Sequence, residues 1–269
     1  MSAEMGLWFR SVLWVIYKNS GGYQMEAGGQ AARECSMVFL LKKNMQDKSR
    51  EVRTTTRFLG RGSMFVFSNA QFEHIVSPFS NLKEGWKTCG NMLDLGAGDG
   101  KVTEVMARHF KNAYATEVSG VMRRILASKN FGLLDVDKWA NAEEGPRYFD
   151  LISCLNLLDR CDRPITLLQQ IRDKLNPDTG ILILAVVLPF NQYVESGSKY
   201  NQPSEKIHIK GRLFEEQVSS MITSVFIPNG FNVLRWTRLP YLCEGDLDQA
   251  FYWLNDALFV LKVADSCDS

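Results

Sequence analysis

The sequence contains no Cys-x-x-Cys pair, no His-Glu-x-x-His and no Gly-Lys-Ser/Thr turn. The first two absences exclude the commonest zinc patterns, and the third excludes a phosphate-cradling P-loop. Histidine is scarce: His74, His109 and His208 are the full set, and they form no Ser-His-Asp nucleophile arrangement. His109 sits at helical spacing and reads as structural. Charge of one sign is also lacking. Lys plus Arg is 31 and Asp plus Glu is 30, a formal net charge of +1, so no global field draws the chain to nucleic acid or to an acidic membrane. No apolar run reaches the roughly 20 residues that span a bilayer. The longest near the start, Met5 to Tyr17, is broken by Arg10, and only Glu4 is charged before it. That is not the charge order of a signal peptide. The segment is expected to be a helix packed on the domain or on a membrane surface, with a targeting or anchoring role as the alternative. The six cysteines are dispersed, and Cys154 and Cys243 lie in or beside apolar stretches, which fits free thiols in a reducing compartment.

What is present is enough for one sizeable core: 269 residues, 45% hydrophobic and 23% charged. Residues 1–57 read as an N-terminal extension, with a Gly-rich loop at Gly21–Gly29 and a polar linker or surface segment at Lys42–Arg57. A domain over 58–269 follows. Short apolar runs at Asn91–Leu95, Ala113–Glu117, Tyr148–Cys154 and Gly180–Leu188 read as buried strands. Helical spacing at Lys101–Phe110, at Ser119–Lys129 with serine as N-cap, and at Pro164–Leu175 with proline in the first turn separates them. A further helix is expected over Leu213–Pro228, then strands over Phe231–Leu239 and Ala257–Lys262. Alternating strands and helices predict an α/β fold, doubly wound about a mostly parallel sheet. Pro189–Arg212 is polar and long enough to be a functional insertion.

The strongest chemical signal is Asp94-Leu-Gly96-Ala-Gly98-Asp-Gly100, between a strand and a helix. Glycines there let the backbone turn tightly and approach a ligand. Glu117 ends the next strand, about 20 residues on, where a carboxylate meets a ribose diol in nucleotide-binding folds. The spacing is G-x-G-x-G rather than the dinucleotide G-x-G-x-x-G. It looks like motif I of the seven-strand methyltransferases, which bind S-adenosylmethionine. Asp94, Gly96, Gly98 and Glu117 are therefore candidate cofactor residues, with Asp94 suited to the cofactor's ammonium.

Three further clusters accompany it. Asn156, Asp159 and Asp162 follow the Tyr148–Cys154 strand at the carboxyl end of the sheet, where such folds bind ligands. Asn156 and Asp159 are candidate catalytic residues, Asn156 is a candidate cofactor contact as well, and Asp162 reads as a helix cap. Tyr241 lies at a strand end beside Glu244 and Asp246, and on its residues alone it is packing or chemistry. Arg61, between Gly60 and Gly62, is either a loop residue pairing with the cofactor's carboxylate or part of a turn into a packed segment.

Together these clusters resemble the methyltransferase-like protein 9 family of protein-histidine N-pros methyltransferases. The matching stretches are Leu59–Ser68 (LGRGSMFVFS), Leu93–Gly100, Tyr114–Glu117, Ile152–Asp162 (ISCLNLLDRCD), Val187–Phe190, Gln202–Glu205 and Leu239–Asp246 (LPYLCEGD). The first, fourth and last are highly specific, and the resemblance spans about Phe58 to Lys262. It implies methyl transfer from S-adenosylmethionine to the Nπ ring nitrogen of histidine in His-x-His motifs of other proteins. It also implies that Asn156, Asp159 and Tyr241 meet the substrate histidine. The chain departs from the family before Phe58 and is longer around Ala142–Pro146. It holds no His-x-His of its own. A methyltransferase acting on RNA or a small molecule, and a non-catalytic cofactor-binding module, stand as alternatives. The expected partners are protein substrates rather than nucleic acid. The expected form is an intracellular, cytoplasmic monomer, with association at the endoplasmic reticulum or mitochondria left open by the apolar N-terminus.

Overall fold

The computed structural model describes residues 64–79, 86–141, 145–194, 202–244 and 251–264. The expectations for residues 1–57, for Arg61 and for Asp246 lie outside these residues.

The described residues open with a short edge strand, β1 (Met64–Phe65). Helix α1 (Asn69–Val76) follows, started by a capping box: Ser68 Oγ accepts the Gln71 N–H at 3.3 Å, and Gln71 Oε1 accepts the Ser68 N–H at 2.8 Å. A single turn, α2 (Trp86–Cys89), stacks Trp86 on Phe110 with centroids 4.4 Å apart. The regular alternation then begins: β2 (Asn91–Leu95), α3 (Lys101–Ala107), β3 (Asn112–Thr116), α4 (Gly120–Ser128) and β4 (Gly132–Leu134). It continues through β5 (Leu151–Leu155), α5 (Pro164–Lys174), β6 (Ile181–Val187) and α6 (Phe214–Met221). Two long strands close it, β7 (Phe231–Glu244) and β8 (Phe251–Val263).

Eight strands among the described residues form one sheet in the order β1-β7-β8-β6-β5-β2-β3-β4. β4, β3, β2, β5 and β6 run parallel, and β8 enters antiparallel between β6 and β7. This is the expected doubly wound α/β fold, a seven-strand sheet with β1 added at its edge. β6 explains itself: Ile181 to Val186 are buried, as a central strand covered on both faces requires. One core packs Leu168 and Ile171 of α5 and Met221 of α6 on the sheet, and the other packs Phe72 and Ile75 of α1 and Met106 of α3. Each such side chain contributes about 1.5–3 kcal/mol by leaving water.

Three expectations need correcting in detail. The helix after Leu213 stays α-helical only to Met221, then widens into a π-turn (Ile222–Phe226) and a 3-10 turn (Ile227–Asn229). β7 and β8 extend well beyond the apolar stretches that marked them. Asp162 does not cap α5. Glu205 does, with one oxygen accepting the N–H groups of Ile165 and Thr166 at 2.8 Å each. Asp162 instead takes the N–H and hydroxyl of Ser204 at 2.8 and 2.9 Å, which brings Glu205 to the helix. His109 is structural as expected: its ring lies 5.2 Å from that of Phe72, and Nε2 is 3.2 Å from Asn69 Oδ1.

Candidate functional site

Strand order reverses between β2 and β5, since the chain winds outward from β2 to β3 and β4, then returns to place β5 on the other side of β2. The loops leaving the carboxyl ends of these two strands part there and open a crevice, the usual ligand position in open α/β sheets. Residues 96–100 leave one strand and residues 156–163 the other.

Asp94 pins the crevice floor. It pairs in register with Ser153 of β5. Its Oδ1 accepts the Ser153 hydroxyl at 2.7 Å and its Oδ2 the Thr103 hydroxyl at 2.5 Å. Burial pushes its carboxyl up to about 6, against the two hydroxyl bonds and with a smaller push from Glu117. A carboxylate has about four lone-pair sites, so both oxygens retain capacity for a further donor.

The glycine turn has the conformation its composition called for. Gly96, Gly98 and Gly100 lie at φ +69°, +59° and +76°, a region closed to most side chains. A Cβ on Gly100 would stand 2.7 Å from Leu126 Cδ2, so that glycine serves helix packing. A Cβ on Gly98 would meet nothing within 4 Å, so its backbone faces open space. Glu117 encloses that space: Oε2 accepts the Gly98 N–H at 3.0 Å and Oε1 the Ser119 N–H at 2.8 Å. Bare glycine backbone, a buried carboxylate at the tip of β3 and an acid beneath the turn suit a phosphate-free nucleoside with an ammonium-bearing tail.

The second loop begins at Asn156, which sits at φ +53°, a region Asn tolerates better than most residues. Its N–H donates to Ala185 O at 2.9 Å, carrying the β5–β6 ladder one residue further. Its Nδ2 donates to Asp256 Oδ2 at 2.8 Å. Leu157 lies over Gly96, with Cδ1 3.2 Å from where a Cβ would be, and joins the two loops. Asp159 is buried, and its Oδ2 accepts from Arg160 Nε at 3.1 Å.

Asp256 is the site residue the motifs did not mark. It lies in β8, opposite Val187 of β6 and Leu239 of β7, and is 0% exposed. Burial pushes its carboxyl up to about 7, with Asp159 adding to the push and the Asn156 amide opposing it. The available signal was one acid within Asn255-Asp-Ala-Leu-Phe-Val-Leu261, on the strand face shared by the buried Leu258 and Val260.

Tyr241 is buried in β7, and its hydroxyl donates to Met64 Sδ at 2.7 Å. It pairs in register with Leu254, two residues from Asp256, so period-two alternation puts Tyr241 and Asp256 on one face of the hairpin. The crevice thus gathers Asp94, Gly96, Gly98 and Glu117 on one side, and Asn156, Asp159 and Asp256 on the other.

The model of the DREV methyltransferase family matches residues 51–263. Among solved structures, the chain is similar to the 1,6-didemethyltoxoflavin-N1-methyltransferase of Burkholderia thailandensis, at 16% identity over 90% of this chain and 94% of that one, with TM-score 0.47. It is also similar to an S-adenosylmethionine-dependent methyltransferase of Clostridium acetobutylicum, at 15% identity over 73% and 99% and TM-score 0.41. A candidate RNA methyltransferase of Pyrococcus horikoshii gives 11% identity over 74% and 83% and TM-score 0.49. The chain belongs to the DREV methyltransferase family. It is a transferase that takes its methyl group from S-adenosylmethionine, and the crevice residues fit that cofactor.

Proposed function

We propose that this methyltransferase modifies histidine side chains of other proteins, at the Nπ nitrogen within His-x-His motifs. The support from sequence is the resemblance of Leu59–Ser68, Ile152–Asp162 and Leu239–Asp246 to the methyltransferase-like protein 9 family. The observation that carries the reading is the Asn156 amide bonded to the buried Asp256 carboxyl, with the buried Asp159 three residues further along the chain, at the tip of β5 beside the glycine turn. Such a set accepts N–H bonds and tolerates a cation, which is what an imidazole needs.

When bound, S-adenosylmethionine supplies an electrophilic methyl group. Asp94, the backbone of Gly96 and Gly98, and Glu117 would hold it. Arg61 is proposed to meet its carboxylate and Asn156 to contact it. Neutral imidazole is nucleophilic only at its unprotonated nitrogen. Asp159, by accepting the Nτ–H, fixes the tautomer that leaves the Nπ lone pair free. The same carboxylate stabilises the ring as it becomes cationic. Asn156 and Tyr241 hold the ring or its peptide, and a closed crevice excludes water. The proposed partners are proteins carrying the motif, met by a monomer in the cytoplasm.

The test is methyl transfer from labelled S-adenosylmethionine to a His-Ala-His peptide, beside a peptide with both histidines replaced by alanine. Label on the first alone, at Nπ, is expected. Cofactor binding with no transfer to the His-Ala-His peptide overturns the histidine assignment. An Asp159→Asn enzyme that keeps full rate and full Nπ selectivity removes the tautomer role.

A further inference from the structure

We propose that Asp256 is a positioning residue for methyl transfer: it holds the Asn156 side-chain amide in one orientation, so that the carbonyl oxygen is offered to a peptide N–H of the substrate that carries the accepting ring. The inference rests on the crevice being the transfer site and deepens that reading, since it gives Asn156 a peptide N–H of the substrate to hold while Asp159 takes the ring Nτ–H.

A free asparagine amide can sit either way round. Here the choice is made by its partner, since the Asn156 amide nitrogen can only donate and the ionised Asp256 carboxylate can only accept. The 2.8 Å bond from Nδ2 to Asp256 Oδ2 therefore turns Oδ1 away from Asp256. The backbone is held as well, at φ +53° and tied to Ala185 O. Oδ1 is buried and has no donor among the described residues. A buried acceptor without a donor costs about 1–3 kcal/mol, and a ligand N–H would remove that cost.

Asp256 is also poorly suited to a purely structural role. It occupies an interior position between β6 and β7, on a strand face whose next two residues are Leu258 and Val260. Its own Oδ1 is buried and without a donor among the described residues. Leucine, of similar shape, would pack there without that penalty. What an acid adds is a charge-assisted acceptor for Nδ2, stronger than a neutral one.

The experiment compares Asp256→Leu, Asp256→Asn, Asn156→Asp and the double variant Asn156→Asp/Asp256→Asn. Transfer rate on the His-Ala-His peptide, cofactor affinity by calorimetry and melting temperature are measured for each. Asp256→Leu should lower kcat by about 30- to 300-fold, the scale of a misplaced acceptor, with a smaller loss of cofactor affinity, under about tenfold. Asp256→Asn should stay within about fivefold of the parent, because its amide oxygen still accepts from Nδ2. Asn156→Asp sets two acceptors face to face and should lose as much as Asp256→Leu. The double variant restores a donor opposite an acceptor and should recover at least about tenfold over Asn156→Asp. A folded Asp256→Leu enzyme with full kcat overturns the proposal, as does a double variant that recovers nothing. If Asp256→Leu does not fold, the swap pair alone decides. A readout free of substrate is the 15N-resolved side-chain NH2 signal of Asn156, which should move in Asp256→Leu. An unmoved signal overturns the positioning role. This arm still reads if the parent methylates neither peptide, a result that would strike only the histidine assignment.

Discussion

Glu117 accepts the backbone N–H of Gly98 at 3.0 Å across 19 residues of chain, which ties the tip of β3 to the turn after β2. One carboxylate thereby shapes the turn and, in the proposed reading, meets the ribose diol of the cofactor. Replacing Glu117 with alanine should weaken S-adenosylmethionine binding by about 10- to 100-fold, the loss of one or two charge-assisted hydrogen bonds. Calorimetric titration measures it, and an unchanged Kd would remove Glu117 from the cofactor site.

Gly98 and Gly100 share a positive φ and should respond differently to alanine. At Gly100 the new methyl meets buried Leu126 Cδ2 at 2.7 Å. Backbone strain and overpacking together should cost about 2–4 kcal/mol of stability. At Gly98 the methyl enters open space, so stability should fall by only about 1–2 kcal/mol, while cofactor affinity falls more steeply. Denaturant melts and binding titrations on both variants separate the cases. A Gly98→Ala protein that binds normally would show that the space before the turn is not the cofactor's.

Asp94 and Asp256 give the stability a pH dependence of known sign. Burial is the main cause in both, raising the carboxyls from 3.8 to about 6 and about 7. The folded state therefore holds these protons more tightly than the unfolded one. Their contribution is full below about pH 4 and is lost as pH rises through 6 and 7. Asp256→Asn, which has no charge to bury, should gain stability over the parent at pH 8, on the order of a few kcal/mol, and gain little at pH 4. Urea unfolding at the two values reads this. An equal difference at both would mean that Asp256 does not titrate between them.

Glu205 should behave with the opposite sign. Partial burial works to raise its carboxyl, but the Thr166 hydroxyl and the N–H groups of Thr166 and Ile165 outweigh it and hold it below the usual 4.5. The cap is present above that pH and is lost as pH falls through the lowered value. Glu205→Ala should cost about 1–2 kcal/mol at pH 7, and the cost should shrink on acidification. A constant penalty from pH 7 to pH 3 would argue for packing instead.

Much of the fold was legible because local pattern and burial agree. Gly180–Leu188 is apolar without a break and became β6, and Ser119 before an amphipathic run became a capped helix. The glycine turn with Glu117 was legible because that backbone geometry is nearly closed to other residues. Elements stabilised by distant partners were not. β4 is three residues long and takes its pairing from β3. Phe231–Leu239 was expected to end before Pro240, yet β7 runs on, since Pro240 sits opposite Asn255 where β1 does not reach. Asp256 was hidden for the same reason: its importance comes from Asn156, 100 residues away in the chain.

The position of β8 bears on how the protein is made. It is synthesised after every other described strand, yet it lies inside the sheet, between β6 and β7. Until it leaves the ribosome, the flank of Ile181–Val187 is an unpaired and wholly apolar edge, the kind that recruits other chains. A reading frame stopped before Phe251 should therefore yield insoluble or degraded product rather than a shortened enzyme. It would also lack the carboxyl that steadies Asn156, so folding and activity are completed by the same late segment.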